Sequence, residues 1–376
     1  MLFRSILGFA TTQMLGISLS LFCGILVSRL ITDVYADEKK GRHFQYFTAI
    51  SKRIFKHASY KFIEYRKYAY ALSFVVLFIG IAALFNGFDQ GVEFAGGRSY
   101  TIQFNNKVNP DAVREDLKVP FHGEAPIVKT IGTDGKKLNI TTAFKIEESG
   151  LEVDAAVEKA LFEGLNKHLA ANTTFEKFST VNKESSQTVL PSISADLKKG
   201  AIKAGFIAIF MICLYIFIRF RDWRYSLGTI VALLHDICVT LAVFSFCRTW
   251  VPFPLEIDQH FIAALLTVIG FSMNDTVIVY DRIREDSRLY PNMDKEQVIN
   301  TAINQTLSRT VMTSLTVFLT ILILFLFGGE VTKGFSFAML VGVITGTYSS
   351  IFVAAPILVD FAKSKPLGRG EATKKK

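Results

Sequence analysis

The chain has 376 residues, half of them hydrophobic, with 34 phenylalanines and only 20% charged residues, below the roughly 25% usual in soluble domains. Apolar stretches such as Ala201–Ile218, whose one charge is Lys203 in the first turn, are about as long as a bilayer-spanning helix, roughly 20 residues. A purely soluble enzyme and a disordered chain are thereby excluded. A net charge of +9 would suggest nucleic acid on a soluble protein, but Gly87–Gly200 holds 14 Lys/Arg against 16 Asp/Glu, a net of −2, so the remainder carries +11. That excess lies in short segments beside apolar stretches, where membrane topology is set, and no nucleic-acid partner is expected.

In chain order the apolar spans are Gly8–Ile31, Tyr68–Phe85, Ala201–Ile218, Ser226–Phe246, Phe261–Tyr280, Val311–Phe327 and Phe335–Phe361. The first is too long for a signal-peptide core, and no small-residue cleavage pattern precedes the charged segment after it. Cys23, Cys213, Cys238 and Cys247 lie in or at the ends of spans with no CxxC pair. They read as small buried hydrophobes rather than a disulfide or zinc framework. Lys and Arg crowd Thr32–Lys67, the turn Arg219–Arg224, the segment after Tyr280 and the tail Lys374-Lys375-Lys376; the alternate loops hold only Arg248 and Lys333. The positive-inside rule then predicts an external amino terminus, a cytoplasmic carboxyl terminus and an extracytoplasmic domain over 87–200. The expected organisation is a first span within 1–37, a basic linker 38–67, a second span 68–86, the domain 87–200, a five-helix bundle 201–361 and a basic tail 362–376.

Within the domain, Tyr100, Ile102 and Phe104 alternate as in a strand. Asn109-Pro110-Asp111 opens a helix, with Asn as N-cap and Pro in the first turn. Pro126–Ile131 and Leu138–Phe144 flank Thr133-Asp134-Gly135, a hairpin signal. Leu151–Ala170 carries Val153, Val157, Leu161, Leu165 and Leu169 at helical spacing, and Phe175–Val181 reads as the last strand. The order strand–helix–strand–strand–helix–strand predicts a ferredoxin-like α+β domain, a plan that names no function. The run Gly91–Gly97 lacks the Lys-Ser/Thr of a P-loop; its glycines are expected to shape the entry to the first strand.

The first and last spans repeat each other. At an offset of 326, Gly8-Phe9-Ala10 falls on Gly334-Phe335-Ser336, Gly16 on Gly342, Ser20 on Gly346, Ile25 on Ile351 and Val27 on Val353. Transporters are often built from such duplications, so the chain is expected to begin at the final helix of an upstream half. Gly342 and Gly346 form a GxxxG pair, and Gly16, Ser20 and Gly24 the matching ladder, both read as helix-packing positions.

Ionisable groups inside spans carry the chemistry, because a charge near the bilayer centre costs several kcal/mol. Asp236, beside His235, is either a helix-pairing group or part of a proton path. A metal-dependent phosphohydrolase would need further His and Asp ligands, which are missing from that bundle. Asp275, preceded by Asn274, lies well inside the boundary marked by Asp281-Arg282-Ile283-Arg284-Glu285 and is a candidate to load and release protons. Arg309 reads either as a snorkelling flank or as the cation facing Asp275. Beyond it Thr310, Thr313, Thr316 and Thr320 share a helix face, able to line a hydrated path or to bond between helices. No nucleophile–base pair, metal cluster or cofactor motif is present, so neither an enzyme nor a cofactor is expected.

These residues resemble the SecD/SecF protein-export membrane protein family of the resistance-nodulation-division superfamily, in its SecF half. The matching runs are Gly91–Gly97, Ala232-Leu233-Leu234-His235-Asp236, Gly270–Glu285 around Asn274-Asp275, Ser308-Arg309-Thr310 through Thr316, Phe327-Gly328-Gly329 and Lys333–Phe337. Glu93 stands where the family usually has Asp. The first span is similar to the last helix of SecD. The resemblance implies a multi-pass protein of the bacterial inner membrane, a proton-motive-force-driven accessory that promotes preprotein export. It would work with a SecD half, the SecYEG channel, SecA and YajC. It also implies that the family's intramembrane aspartate and arginine fall on Asp275 and Arg309. A superfamily exporter of small molecules or lipids is the alternative; a domain of about 110 residues leaves little room for its drug pocket.

Overall fold

The computed structural model describes residues 2–35, 59–131, 134–148, 150–170, 172–251, 253 and 255–361. Most of the basic linker, the lysine tail and Thr133 of the hairpin turn lie outside them. The chain forms two units, Met1–Lys56 and His57–Lys376. Among the described residues, seven helices are long and apolar enough to cross a membrane.

The first unit is one span: helix α1 (Leu2–Leu21), a π-helical turn (Phe22–Val27) and helix α2 (Ser28–Tyr35). Its hydroxyls bond to its own backbone, Ser18 to the Met14 carbonyl at 2.9 Å and Thr32 to that of Ser28 at 2.7 Å. A lipid-facing helix needs such internal satisfaction. Within this unit, a Cβ at Gly16 or Gly24 would meet nothing within 4 Å. Cys23 is likewise exposed, and the other three cysteines are half-buried.

The second unit holds six spans: α3 (Arg66–Asn86), α8 (Pro191–Phe220), α9 (Trp223–Cys247), α10 (Gln259–Leu289), α11 (Lys295–Phe327) and the pair α12 (Glu330–Ser349) and α13 (Ala355–Asp360). Three of them begin on an aspartate N-cap, which satisfies an orphan backbone N–H. Asp222 accepts from the N–H of Arg224 at 3.1 Å, Asp258 from that of Phe261 at 2.7 Å and Asp294 from that of Glu296 at 3.2 Å. Helices α10 and α11, of 31 and 33 residues, run about 45–50 Å at 1.5 Å per residue. They overshoot the hydrocarbon core, so the charged flank after Tyr280 continues the helix. There Asp281 is tied to Arg219 at 3.1 Å and to Arg284 at 3.5 Å.

A π-helical turn, Ser350–Ala354, separates α12 from α13 just before Pro356. Proline lacks the N–H that would continue the ladder and crowds the carbonyl four residues back, and the wider turn absorbs the defect. Under the offset of 326, the π turn of the first span falls on residues 348–353, overlapping this one. The repeat seen in the residues is thus repeated in the backbone.

Between α3 and α8 sits the sheet-containing domain. Strands β2 (Gly97–Gln103), β3 (Ile127–Ile131), β4 (Lys137–Thr142) and β5 (Lys183–Val189) form an antiparallel sheet in the order β3-β4-β2-β5. Helices α5 (Pro110–Lys118) and α6 (Leu151–Leu165) contribute to its core. The register sets Tyr100 opposite Ile140 and Ile102 opposite Leu138. These four, with Phe104, Val113, Leu117, Val157, Leu161 and Leu165, form the buried core. Asn109 caps α5 as expected, accepting from the Asp111 N–H at 2.9 Å.

The last strand differs from expectation. Phe175–Val181 is helical: α7 (Phe175–Lys177) followed by a π turn, Phe178–Asn182. The strand is the following Lys-Glu-Ser-Ser-Gln-Thr-Val. This edge strand is exposed along nearly its whole length, so it carries no hydrophobic alternation to read, while Phe178 reaches the core from the helical turn.

The domain is joined to the bundle by a short parallel pair, β1 (Asp89–Gln90) with β6 (Glu256–Ile257), followed by the single turn α4 (Val92–Ala95). Gly96, at φ +81°, makes the bend from α4 into β2, the role expected of the glycine run. The Lys129 ammonium on β3 meets the buried Glu256 carboxylate at 2.8 Å. Burial pushes the Glu256 carboxyl up and Lys129 pulls it back; burial and nearby Asp258 push Glu93 up as well.

Candidate functional site

Helix α9 carries His235 and Asp236 midway along its length, facing α10 and α12. Asp236 is fully buried. One oxygen, Oδ2, accepts hydrogen bonds from Ser272 at 2.6 Å and Ser349 at 2.8 Å; Oδ1 lies 3.3 Å from His235 Nδ1. The far ring nitrogen of His235, Nε2, is buried without a hydrogen-bond partner, and the ring lies against Tyr348 at 5.7 Å. Three helices thus close on one carboxylate.

Backbone proximity makes this possible. A Cβ at Gly346 would lie 2.9 Å from the Ser272 Cβ, and one at Gly342 would overlap the Val268 side chain. The GxxxG pair of α12 therefore lies directly on α10, as small residues allow. That approach brings Ser272 and Ser349 to the same oxygen.

Asp275 is three residues beyond Ser272 and so on the same side of α10. It too is fully buried, but it is poorly supplied. Oδ2 has a single long contact, 3.4 Å from Ser314 Oγ, and Oδ1 has no partner. Ser314 has a nearer acceptor in the Thr310 carbonyl at 2.8 Å and accepts from Thr347 at 2.6 Å. Thr310 adds a buried hydroxyl with no partner. The arrangement holds one carboxylate, on α9, with both oxygens engaged and, on α10 one turn beyond the Ser272 that bonds it, another with an open oxygen among hydroxyls that can donate and accept hydrogen bonds. Among the described residues, no group of three or more His, Cys, Asp or Glu side chains is placed to hold a metal.

The remaining candidates are placed differently. Arg309, read either as a snorkelling flank or as the cation facing Asp275, is exposed on α11, and within this chain its guanidinium makes no direct ion pair with that carboxylate. Asn274 is exposed as well, its position rotated off the face that Asp275 buries. Among the described residues Thr313, Thr316 and Thr320 bridge no helices; each hydroxyl bonds to the carbonyl four residues back, at 2.8–2.9 Å. Ser272, Ser314, Thr347 and Ser349 went unnoticed in the sequence. Their one signal is spacing, since Ser272 falls one turn from Asp275.

Residues 170–364 match the family described as "Protein export membrane protein SecD/SecF, C-terminal", and residues 81–108 the "SecD/SecF GG Motif". The chain is 42% identical over 324 residues to the protein translocase subunit SecF of Rhodothermus marinus, covering 85% of this chain and 99% of that protein. The chain belongs to the SecD/SecF protein-export membrane protein family. It is also 31% identical over 354 residues to the protein translocase subunit SecDF of Thermus thermophilus, covering 94% of this chain and 44% of that one. The crystal structure of SecDF from Thermus thermophilus, a translocon-associated membrane protein, aligns at a TM-score of 0.74 and 28% identity over 95% of this chain and 45% of that one. The chain therefore spans less than half of the SecDF chains and nearly all of the Rhodothermus SecF. It is a multi-pass membrane protein of this family, and its GG motif contains the Gly96 bend described above.

Proposed function

We propose that the chain is the SecF part of a proton-driven accessory to the Sec translocase, promoting preprotein export across the bacterial inner membrane. The observation that carries this reading is the contrast at α10: Asp236 is saturated with hydrogen bonds, whereas Asp275 is buried with one oxygen open. A group that cycles between protonated and ionised forms needs spare hydrogen-bonding capacity. One that holds helices together does not. Asp275 takes up and releases the proton, Ser314 and Thr347 rearrange their hydroxyls around it, and Asp236 with His235 holds α9, α10 and α12 in register. Arg309, exposed here, acts on Asp275 through its charge once the SecD half is in place. The lysine-rich segments and carboxyl terminus face the cytoplasm, and the four-stranded domain, read as ferredoxin-like, faces outward to the emerging preprotein. SecYEG, SecA and YajC are the remaining partners in this reading, which assigns a motor subunit rather than an enzyme.

The test is Asp275→Asn in the intact assembly. Proton-dependent late translocation should be abolished while expression and membrane insertion persist; unchanged export would overturn the proposal. Arg309→Met should give a comparable loss. Asp281→Asn, at the ion-paired helix flank, should do far less, and an equal loss there would point to a folding defect instead.

A further inference from the structure

At the outer end of α11, a cavity of about 750 Å³ opens between that helix, the turn into α12 and the near edge of the four-stranded domain. Its size lies within the roughly 300–1,000 Å³ of small-molecule sites. Its lining divides by chemistry. Lys107 and Thr130 from the domain, with Lys333 from α12, supply two cations and a hydroxyl; Leu326 and Phe327, the last residues of α11, supply an apolar wall. Lys333 is the only Lys or Arg in the segment Gly328–Gly334, on the side of the membrane where such residues are scarce.

The apolar wall continues down the helix. Leu315, Leu319, Ile323 and Leu326 recur every three or four residues, and all are exposed, Leu326 to 61%. They form one stripe, on the side of α11 away from its buried positions Ala302, Thr306, Thr310 and Ser314. A stripe of acyl-chain length thus ends at a pocket bearing two cations, at the depth where a hydrophobic helix stops.

We propose that this cavity binds the headgroup of an anionic phospholipid from the adjoining leaflet, with an acyl chain laid along Leu315, Leu319, Ile323 and Leu326. The lysines pair with the headgroup phosphate, and the apolar stripe separates a lipid from a soluble phosphate ester. The bound headgroup bridges the domain to α11, since Lys107 belongs to one and Phe327 to the other.

The test is native mass spectrometry of the full chain released from detergent micelles. Phosphatidylglycerol, phosphatidylethanolamine, inorganic phosphate and glycerophosphoglycerol, the headgroup without its chains, are offered separately. One phosphatidylglycerol should be retained, about tenfold more than phosphatidylethanolamine, because each lysine near a membrane surface favours an anionic lipid. Lys107→Gln with Lys333→Gln should reduce that retention about tenfold and leave phosphatidylethanolamine unaffected. Lys198→Gln with Lys199→Gln, outside the cavity, should change nothing, and circular dichroism checks that each variant folds. Equal retention of the two lipids, or undiminished phosphatidylglycerol binding by the cavity variant, overturns the proposal. So does displacement of the lipid by inorganic phosphate or glycerophosphoglycerol, which would assign the site to a soluble anion.

Discussion

Arg98 in the four-stranded domain and Asp275 in the helix bundle are both buried charges, and the two regions treat them in opposite ways. Arg98 is 1% exposed. It donates four hydrogen bonds: to Asp154 at 2.8 Å, and to the carbonyls of Phe144, Lys145 and Glu148 at 2.9–3.1 Å. It fixes the loop before α6 to the start of β2. Asp275 has one long contact and one empty oxygen. A folded region keeps a buried charge cheaply only when its bonding capacity is met, so Arg98 belongs to the stability of its domain. Asp275 is a cost to the stability of the bundle. Asp236 stands between the two, in the bundle but satisfied as Arg98 is.

Four substitutions sharpen that comparison. Arg98→Met should have the largest effect on stability, about 3–5 kcal/mol, because it strands the carbonyls of Phe144, Lys145 and Glu148 without a donor. Limited proteolysis within residues 97–189 would report it, and an intact domain would show that the bonds of Arg98 are dispensable. Asp236→Ala should cost about 1–3 kcal/mol by stranding the Ser272 and Ser349 hydroxyls, read as a lowered melting point in detergent. Glu93→Gln should have a smaller effect, visible only in its pH dependence. Burial holds the Glu93 carboxyl above its ordinary value of 4.5, so the folded protein binds the extra proton. The stability of the wild-type junction therefore falls as pH rises from that value through the raised one. The glutamine variant should show a flatter profile, and a parallel one would mean that Glu93 does not titrate in the fold. Asp275→Asn should not lower stability, because it removes a charge whose burial is costly, although it is expected to remove proton-dependent export. A large loss of stability there would erase the contrast with Arg98.

Much of this molecule was legible in its residues because the bilayer imposes a coarse rule. The cost of exposing polar backbone and side chains to lipid leaves long apolar runs, and intramembrane aspartates stand out against them. The alternation of Tyr100, Ile102 and Phe104 was legible for a similar reason, one face of their sheet being dry. Strand β5 was not, because an edge strand wet on both faces has no pattern to show. Nor were the serines of the site, since a hydroxyl in an apolar helix looks the same whether it bonds its own turn, as Thr316 does, or a neighbour's carboxylate, as Ser349 does.

By itself the sequence determined the seven spans, the duplicated first and last helices, the small domain between the second and third spans and the two aspartates inside the spans. All of these follow from composition and period, which are local. Only the tertiary structure decided which aspartate is engaged and which is open, and that Arg309 makes no direct ion pair with Asp275 within this chain. Those outcomes depend on how closely three helices approach. The distance is set by Gly342 and Gly346 against α10, and hydrogen bonds between helices far apart in the chain leave no trace in the spacing of either one.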